Sequence, residues 1–192
     1  MNVLNALGEF GYMAYQVSLT LRYSVRDRKR LAYQMDHVGV NSIPLVMLVG
    51  FFAGAIIAWQ GAYQFKGMVS LDVLGGQAAR IIVMEMGPVL TALVIAGRIG
   101  ASMTAEIGTM KVTEQVDALR TMAMDPVRYI VLPRVLGLSL MMPVLTLFAN
   151  FVGIFGCYVV SSYFLDISQE TFLDSIKTFF EMKDQPGGLI KS

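Results

Sequence analysis

With one cysteine, one histidine and one tryptophan among 192 residues, the chain is short of the side chains that most catalytic and metal sites need. Cys157, alone in an apolar run, can close neither a disulfide framework nor a thiolate metal site within one chain, and it reads as a small buried hydrophobe. His37 has no second ligand at metal-binding spacing, so no metal site is expected and the residue reads as interfacial. No GxxxxGK[ST] phosphate loop is present, which excludes Walker-type ATP binding, so no cofactor is expected in this chain. No nucleophile and base pair can be assembled, and an enzyme is not expected. Charged residues make up 15% of the chain with a net charge of +1, and no basic run is interleaved with aromatics, which leaves no case for nucleic acid. The opening MNVLNALGEF has no basic segment followed by an apolar core and cleavage site, so no removable signal peptide is expected.

What the chain does have is 55% hydrophobic residues gathered into long uncharged runs. Crossing ~30 Å of hydrocarbon takes about 20 apolar residues in a helix. Three segments meet that length, one within residues 38–65, one over about 81–105 and one within 135–165. The last would reach about 46 Å at 1.5 Å per residue, so part of it must tilt, bend or leave the membrane, and Pro143 supplies a cause for a bend. The fold class expected is an all-α membrane protein forming one domain over residues 1–192.

Basic residues set the expected orientation. Arg22, Arg26, Arg28, Lys29 and Arg30 crowd ahead of the first span, and Lys111, Arg120, Arg128 and Arg134 lie between the second and third. The 66–80 connection carries only Lys66 and Arg80. The positive-inside rule then puts the N-terminus and the 106–134 region in the cytoplasm, and the 66–80 loop and residues 166–192 outside. Residues 1–37, which mix Leu4, Leu7, Phe10 and Leu21 with the basic cluster, suit a helix lying in the inner interface and attracted to anionic lipid.

Small residues recur at every fourth position, Gly50, Gly54, Ala58 and Ala62 in the first span and Ala92, Ala96, Gly100, Thr104 and Gly108 in the second. Such ladders let helix backbones approach closely, either as fixed packing or as surfaces that slide. Glu85 is the costly residue, since an acid at mid-membrane costs about 2.5–3.5 kcal/mol on insertion scales. Gly87 and Pro88 follow it, and a bend is expected there. The carboxylate either lines a cavity in the outer half of the bilayer or pairs with Arg80 near the surface. Arg98, about 20 Å further down the helix, is too far from Glu85 to pair with it and reads as snorkelling to the inner interface.

Between the second and third spans, Val112, Val116, Leu119 and Met122 or Ala123 form one apolar stripe, with Lys111, Glu114, Asp117 and Arg120 on other faces. Asp125-Pro126 is expected to stop that helix. The periodicity alone fits two readings, a helix gripped by a cytosolic partner or a passive surface helix over residues 106–126.

The run EMGPVLTALVIAGRIGASMTAEIGTMKVTEQVDALRTMAMDPVRYIVLPR, from Glu85 to Arg134, resembles the signature region of the MlaE/YrbE family of ABC-transporter permeases. The most family-like pieces are Glu85 with Gly87-Pro88, Ala96-Gly97-Arg98 to Ala101-Ser102, Ala105-Glu106-Ile107-Gly108, Thr113-Glu114-Gln115, Asp125-Pro126 and Pro133-Arg134. The resemblance implies a homodimeric, multi-pass permease of the bacterial inner membrane. It would be driven by a cytosolic ATPase that binds the ATP, would work with an MCE-domain lipid-binding protein, and would move phospholipid or related lipid between the inner membrane and the outer envelope. It further implies that the ATPase couples through Glu106, Gly108, Lys111, Glu114, Gln115, Asp117 and Arg120. A lipid cavity would lie near Phe52, Met84, Glu85, Met86 and Pro88, and helix packing would run through Gly50, Gly54, Ala96 and Gly100. Members of that family usually carry about five spans, and a fourth is expected to begin near the GGLIKS at the end of this sequence. They also often place a basic residue where Met84 stands, so a charge-paired headgroup contact is not expected there. Two other functions fit parts of the sequence, an ion-coupled carrier using Glu85 and Arg98, and a membrane scaffold that transports nothing.

Overall fold

The computed structural model describes residues 8, 11–12, 15, 28–65 and 74–184. Most of the expected interfacial segment, the greater part of the 66–80 connection and the GGLIKS run lie outside the described residues. Every described element is helical. The order is α1 (Arg28–Val38), a short 3-10 turn (Val40–Ser42), α2 (Ile43–Phe65), α3 (Leu74–Ile81), a π turn (Ile82–Met86), α4 (Gly87–Val112), α5 (Gln115–Thr121), a second π turn (Val127–Val131), α6 (Leu132–Phe164) and α7 (Gln169–Asp184).

Among the described residues three helical runs are long and apolar enough to cross a membrane, Lys29–Gln64, Gly75–Val112 and Val127–Phe164. Even in the second run only 33% of the most apolar stretch is buried, and Leu48, Phe52, Ile56, Trp59, Leu93 and Phe151 are exposed. In water so many exposed large apolar side chains would drive association, whereas hydrocarbon solvates them and leaves only the backbone to be satisfied internally, as a helix does.

Each run is longer than the sequence suggests. The second begins at Gly75 rather than near residue 81 because Gly75 to Arg80 form the end of an amphipathic helix. Ala78 and Ala79 are buried, Gly75 sits against Phe172 of α7, and the Gly76 N–H donates to Ser175 Oγ at 2.6 Å. The third begins at Val127 because Asp125-Pro126, expected to end a helix, starts one. Asp125 Oδ1 accepts the Val127 N–H at 3.0 Å, and Pro126 holds the helical φ of −60°. That pairing of a capping acid with a first-turn proline is an N-terminal signal, since proline's missing N–H falls among donors the helix cannot use.

Pro143 lies inside α6 and the helix continues through it. Both wide turns instead stand directly before other prolines. The Gly87 N–H bonds Ile82 O ahead of Pro88, and the Leu132 N–H bonds Val127 O ahead of Pro133. A proline ring strikes the carbonyl four residues back, and a turn closed over five residues moves that carbonyl aside.

The chain divides into two compact units, residues 1–42 with 95–144, and residues 43–94 with 145–192. In the first, Val38, Ile95, Ile99, Leu132 and Met141 are buried. In the second, Ala58, Ala62, Ala78, Ile82, Cys157, Ile167 and Phe172 form one apolar cluster.

Candidate functional site

The first unit carries a polar cluster. Arg134, two residues into α6, is 6% exposed, and its Nη2 donates to Glu106 Oε2 of α4 at 2.5 Å. The other carboxylate oxygen faces His37 Nε2 of α1 at 3.7 Å, and the His37 ring stacks on Tyr33 with 3° between planes. Three helix segments far apart in sequence are therefore tied through one carboxylate. Arg98 lies close by in sequence but is held elsewhere. Its Nη1 donates to Asn41 O and, at 3.0 Å, to Ser42 Oγ, so its guanidinium is bonded at the 3-10 turn.

The connector after α4 is built by a break. Glu114 adopts φ 57° and ψ 13°, the left-handed region, and starts α5. Thr113, just past the end of the preceding helix, donates its hydroxyl to Thr109 O at 2.8 Å. A left-handed residue other than glycine costs roughly 1–2 kcal/mol, and it interrupts the right-handed helix between α4 and α5. The apolar stripe expected over 112–123 is consequently split. Val112 belongs to α4 and is 83% exposed, while Val116 and Leu119 of α5 are half-buried. The amphipathic connector helix is thus the seven residues Gln115–Thr121 rather than residues 106–126, and none of its residues is buried.

Of the residues expected to meet an ATPase, Glu106, Gly108 and Lys111 are on α4, Glu114 is at the break, and Gln115, Asp117 and Arg120 are on α5. Asp117 and Arg120 face each other at 3.4 Å, both mostly exposed. Lys111, Glu114 and Gln115 are exposed, and nothing lies within 4 Å of a side chain built on Gly108. Glu106 stands apart from this set, because its carboxylate is engaged by Arg134.

In the second unit, Glu85 is exposed within the first π turn, flanked by the exposed Met84 and Met86, and Pro88 is exposed one turn on. Phe52 is exposed on α2, edge-on to Phe51. Gly50 and Gly54 press against α6. A methyl group on Gly50 would sit 2.8 Å from Ala149 O, and one on Gly54 would overlap Gly153 O. The crevice these two glycines share with Met86 has a volume of about 10 Å³, room for a water and not for an acyl chain. Thr91 on its wall is buried with its hydroxyl unpartnered, and so is Asn150 Oδ1, which blocks the open side of Gly87. The second ladder differs. Ala96, Gly100, Thr104 and Gly108 are all exposed, and nothing lies within 4 Å of a side chain built on Gly100.

Sequence reasoning did not pick out Arg134 as a site residue, nor the contact of His37 with Glu106, nor Thr91 and Asn150. Arg134 carried a usable signal, a cation directly after a proline at the mouth of an apolar run, which is the same cost argument applied to Glu85. The contacts themselves join residues up to 97 apart in sequence, His37 and Arg134 through Glu106, and no periodicity reveals them.

These elements define a multi-pass helical membrane protein with a small exposed connector between its second and third apolar runs. The family model for the permease MlaE matches residues 31–192. A probable ABC transporter permease protein of Rickettsia typhi is 40% identical over 159 residues, 83% of this chain and 61% of that protein. A probable ABC transporter permease protein of Synechocystis is 38% identical over 181 residues, 94% of this chain and 69% of the relative. The intermembrane phospholipid transport system permease protein MlaE of Haemophilus influenzae is 36% identical over 156 residues, 81% and 60%. The chain belongs to the MlaE permease family, and it spans about three fifths of the length of the Rickettsia and Haemophilus relatives.

Proposed function

We propose that the chain is the membrane-embedded part of a phospholipid permease in a bacterial inner membrane. A separate cytosolic ABC ATPase would bind the ATP and drive it, and an MCE-domain protein would exchange lipid with it. The observation that carries the reading is the connector, because α5 offers seven residues with none buried, opened by a left-handed Glu114 and carrying Asp117 and Arg120 outward. A segment with so little internal packing is held in place by its ends, which suits a piece that a partner grips and moves. Excess Lys and Arg in residues 22–30 and 111–134 supports a cytoplasmic N-terminus and connector. The exposed stripe Ala96, Gly100, Thr104 and Gly108 supports close approach by a second copy in a homodimer. The crevice beside Gly50, Gly54 and Met86 is water-sized, so a lipid path at this place is assigned to the dimer, with Glu85, Met84, Met86, Pro88 and Phe52 on its wall.

The test is purification of the full-length protein in mild detergent, with mass spectrometry of co-purifying proteins and lipid. The expected result is an ATPase subunit in stoichiometric amount together with bound phospholipid. Charge reversal at Glu114 and Asp117 together is expected to lower ATPase recovery at least five-fold. Undiminished recovery removes the docking role from α5.

A further inference from the structure

Beside the Glu106–Arg134 pair the first unit forms an open-sided pocket of about 310 Å³, at the lower end of the range of small-ligand pockets, roughly 300–1,000 Å³. Its wall includes Lys29 and Arg30 of α1 and Arg134 of α6, with Tyr33, Gln34 and Tyr129, and none of its described lining residues is a carboxylate. Arg30 lies over the Tyr129 ring at 3.8 Å, which holds its guanidinium at the wall. Arg134 is the decisive residue. It is 6% exposed and its Nη2 is held by Glu106, while its Nη1 is buried with no hydrogen-bond partner. A guanidinium offers five donors in a planar fork that matches carboxylate and phosphate oxygens, and a buried donor left unmet is costly. The chain by itself satisfies one side of this fork and leaves the other buried without a partner, in a wall that carries two more cations.

The occupant follows from charge and position. Three cations converge, Arg134 held on one side by Glu106, and none of the described lining residues is a carboxylate, so the ligand is an anion, and a planar fork with amide and phenol donors around it suits phosphate oxygens. The cavity is built almost wholly from residues 29–34 and 129–134, which open the first and third apolar runs, Lys29–Gln64 and Val127–Phe164. The ends of spanning helices lie level with lipid headgroups. We propose that this cavity is a phosphate site filled by the headgroup of an anionic phospholipid in the leaflet that meets α1. The site is separate from the lipid path assigned to the dimer and does not depend on an ATPase driving the chain.

The probe is phosphatidylglycerol in phosphatidylcholine nanodiscs holding the full-length protein, with Tyr33, 66% exposed on the cavity wall, replaced by the photoreactive p-benzoylphenylalanine. After irradiation the adducts are identified by mass. Phosphatidylglycerol is expected among the adducts at five-fold or more above its mole fraction, falling about three-fold in Lys29→Gln and to the mole fraction in Arg134→Gln. Should Arg134→Gln fail to fold, the surface variant Lys29→Gln/Arg30→Gln is expected to bring the adduct down to the mole fraction in its place. Suppression of the lipid adduct by millimolar sn-glycerol 3-phosphate supports a phosphate site open to soluble phosphates, and persistence of the adduct supports the lipid as occupant. Adducts at the bulk mole fraction in every variant overturn the site, and so does crosslinking to a co-purifying protein in place of lipid.

Discussion

Glu106 and Arg134, 28 residues apart, meet at 2.5 Å, with the guanidinium buried and the carboxylate side chain 42% exposed. The pair joins the later part of α4 to the start of α6, on either side of the connector. Removing one partner of a fully buried pair costs about 3–5 kcal/mol, and the exposure of Glu106 reduces that. Glu106→Ala is therefore expected to destabilise the detergent-solubilised protein by about 2 kcal/mol in thermal unfolding, the Arg134 charge being left without its partner. In an Arg134→Gln background the same change should cost less than about 0.5 kcal/mol. Equal losses in both backgrounds would show that the two residues do not act through each other.

The two small-residue ladders should respond oppositely to one methyl group. At Gly54 the added carbon meets the backbone oxygen of Gly153, which no rotamer change can move, so Gly54→Ala is expected to cost about 2 kcal/mol or more. At Gly100 the space is open, and Gly100→Ala should leave the unfolding of one chain unchanged or raise its stability by up to about 1 kcal/mol through helix propensity. Light scattering after size exclusion should show the Gly100 variant shifted toward monomer. An unshifted dimer would move the partner copy to another face.

Backbone and charge at Glu114 can be separated. Glu114→Gly relieves the left-handed conformation and is expected to stabilise the fold by up to about 1 kcal/mol, while Glu114→Gln keeps the strain and removes only the charge. Both should reduce ATPase recovery if the carboxylate docks. Reduced recovery with glycine alone would assign the role to connector shape.

Asp125→Ala removes the side-chain cap on the Val127 N–H and is expected to cost about 1 kcal/mol, confined to the start of the third run. Hydrogen exchange should quicken at Val127 to Tyr129 and stay unchanged within α2. Uniform quickening would mean that the cap supports the whole fold.

The helical class and the three apolar runs were legible because composition and run length carry them, and the family was legible because the stretch from Glu85 to Arg134 is long and specific. What the sequence hid was mostly at run ends. Residues 74–80 read as the end of a connection, because nothing in the run shows that the small size of Gly75 admits Phe172 against a helix there. Asp125-Pro126 reads equally as a stop or a start until the Val127 N–H is seen on Asp125. The break at Glu114 is invisible to periodicity, since a left-handed residue without glycine is a choice made by the surrounding structure. Of the candidate site, the exposed charges of the connector could be read from spacing, and the hold of Arg134 on Glu106 could not, because it depends on how α4 and α6 return to each other.

The wide turns before Pro88 and Pro133 have a bearing on how bending can travel. Each inserts roughly one residue beyond the ordinary count, offsetting the side chains beyond it by about 100° about the axis. Such a defect can creep along a uniform helix by handing each hydrogen bond to its neighbour, but a ring without an N–H has nothing to hand over. The offset is pinned on its C-terminal side in both runs, so the bend that each wide turn permits is confined to one fixed station in its run.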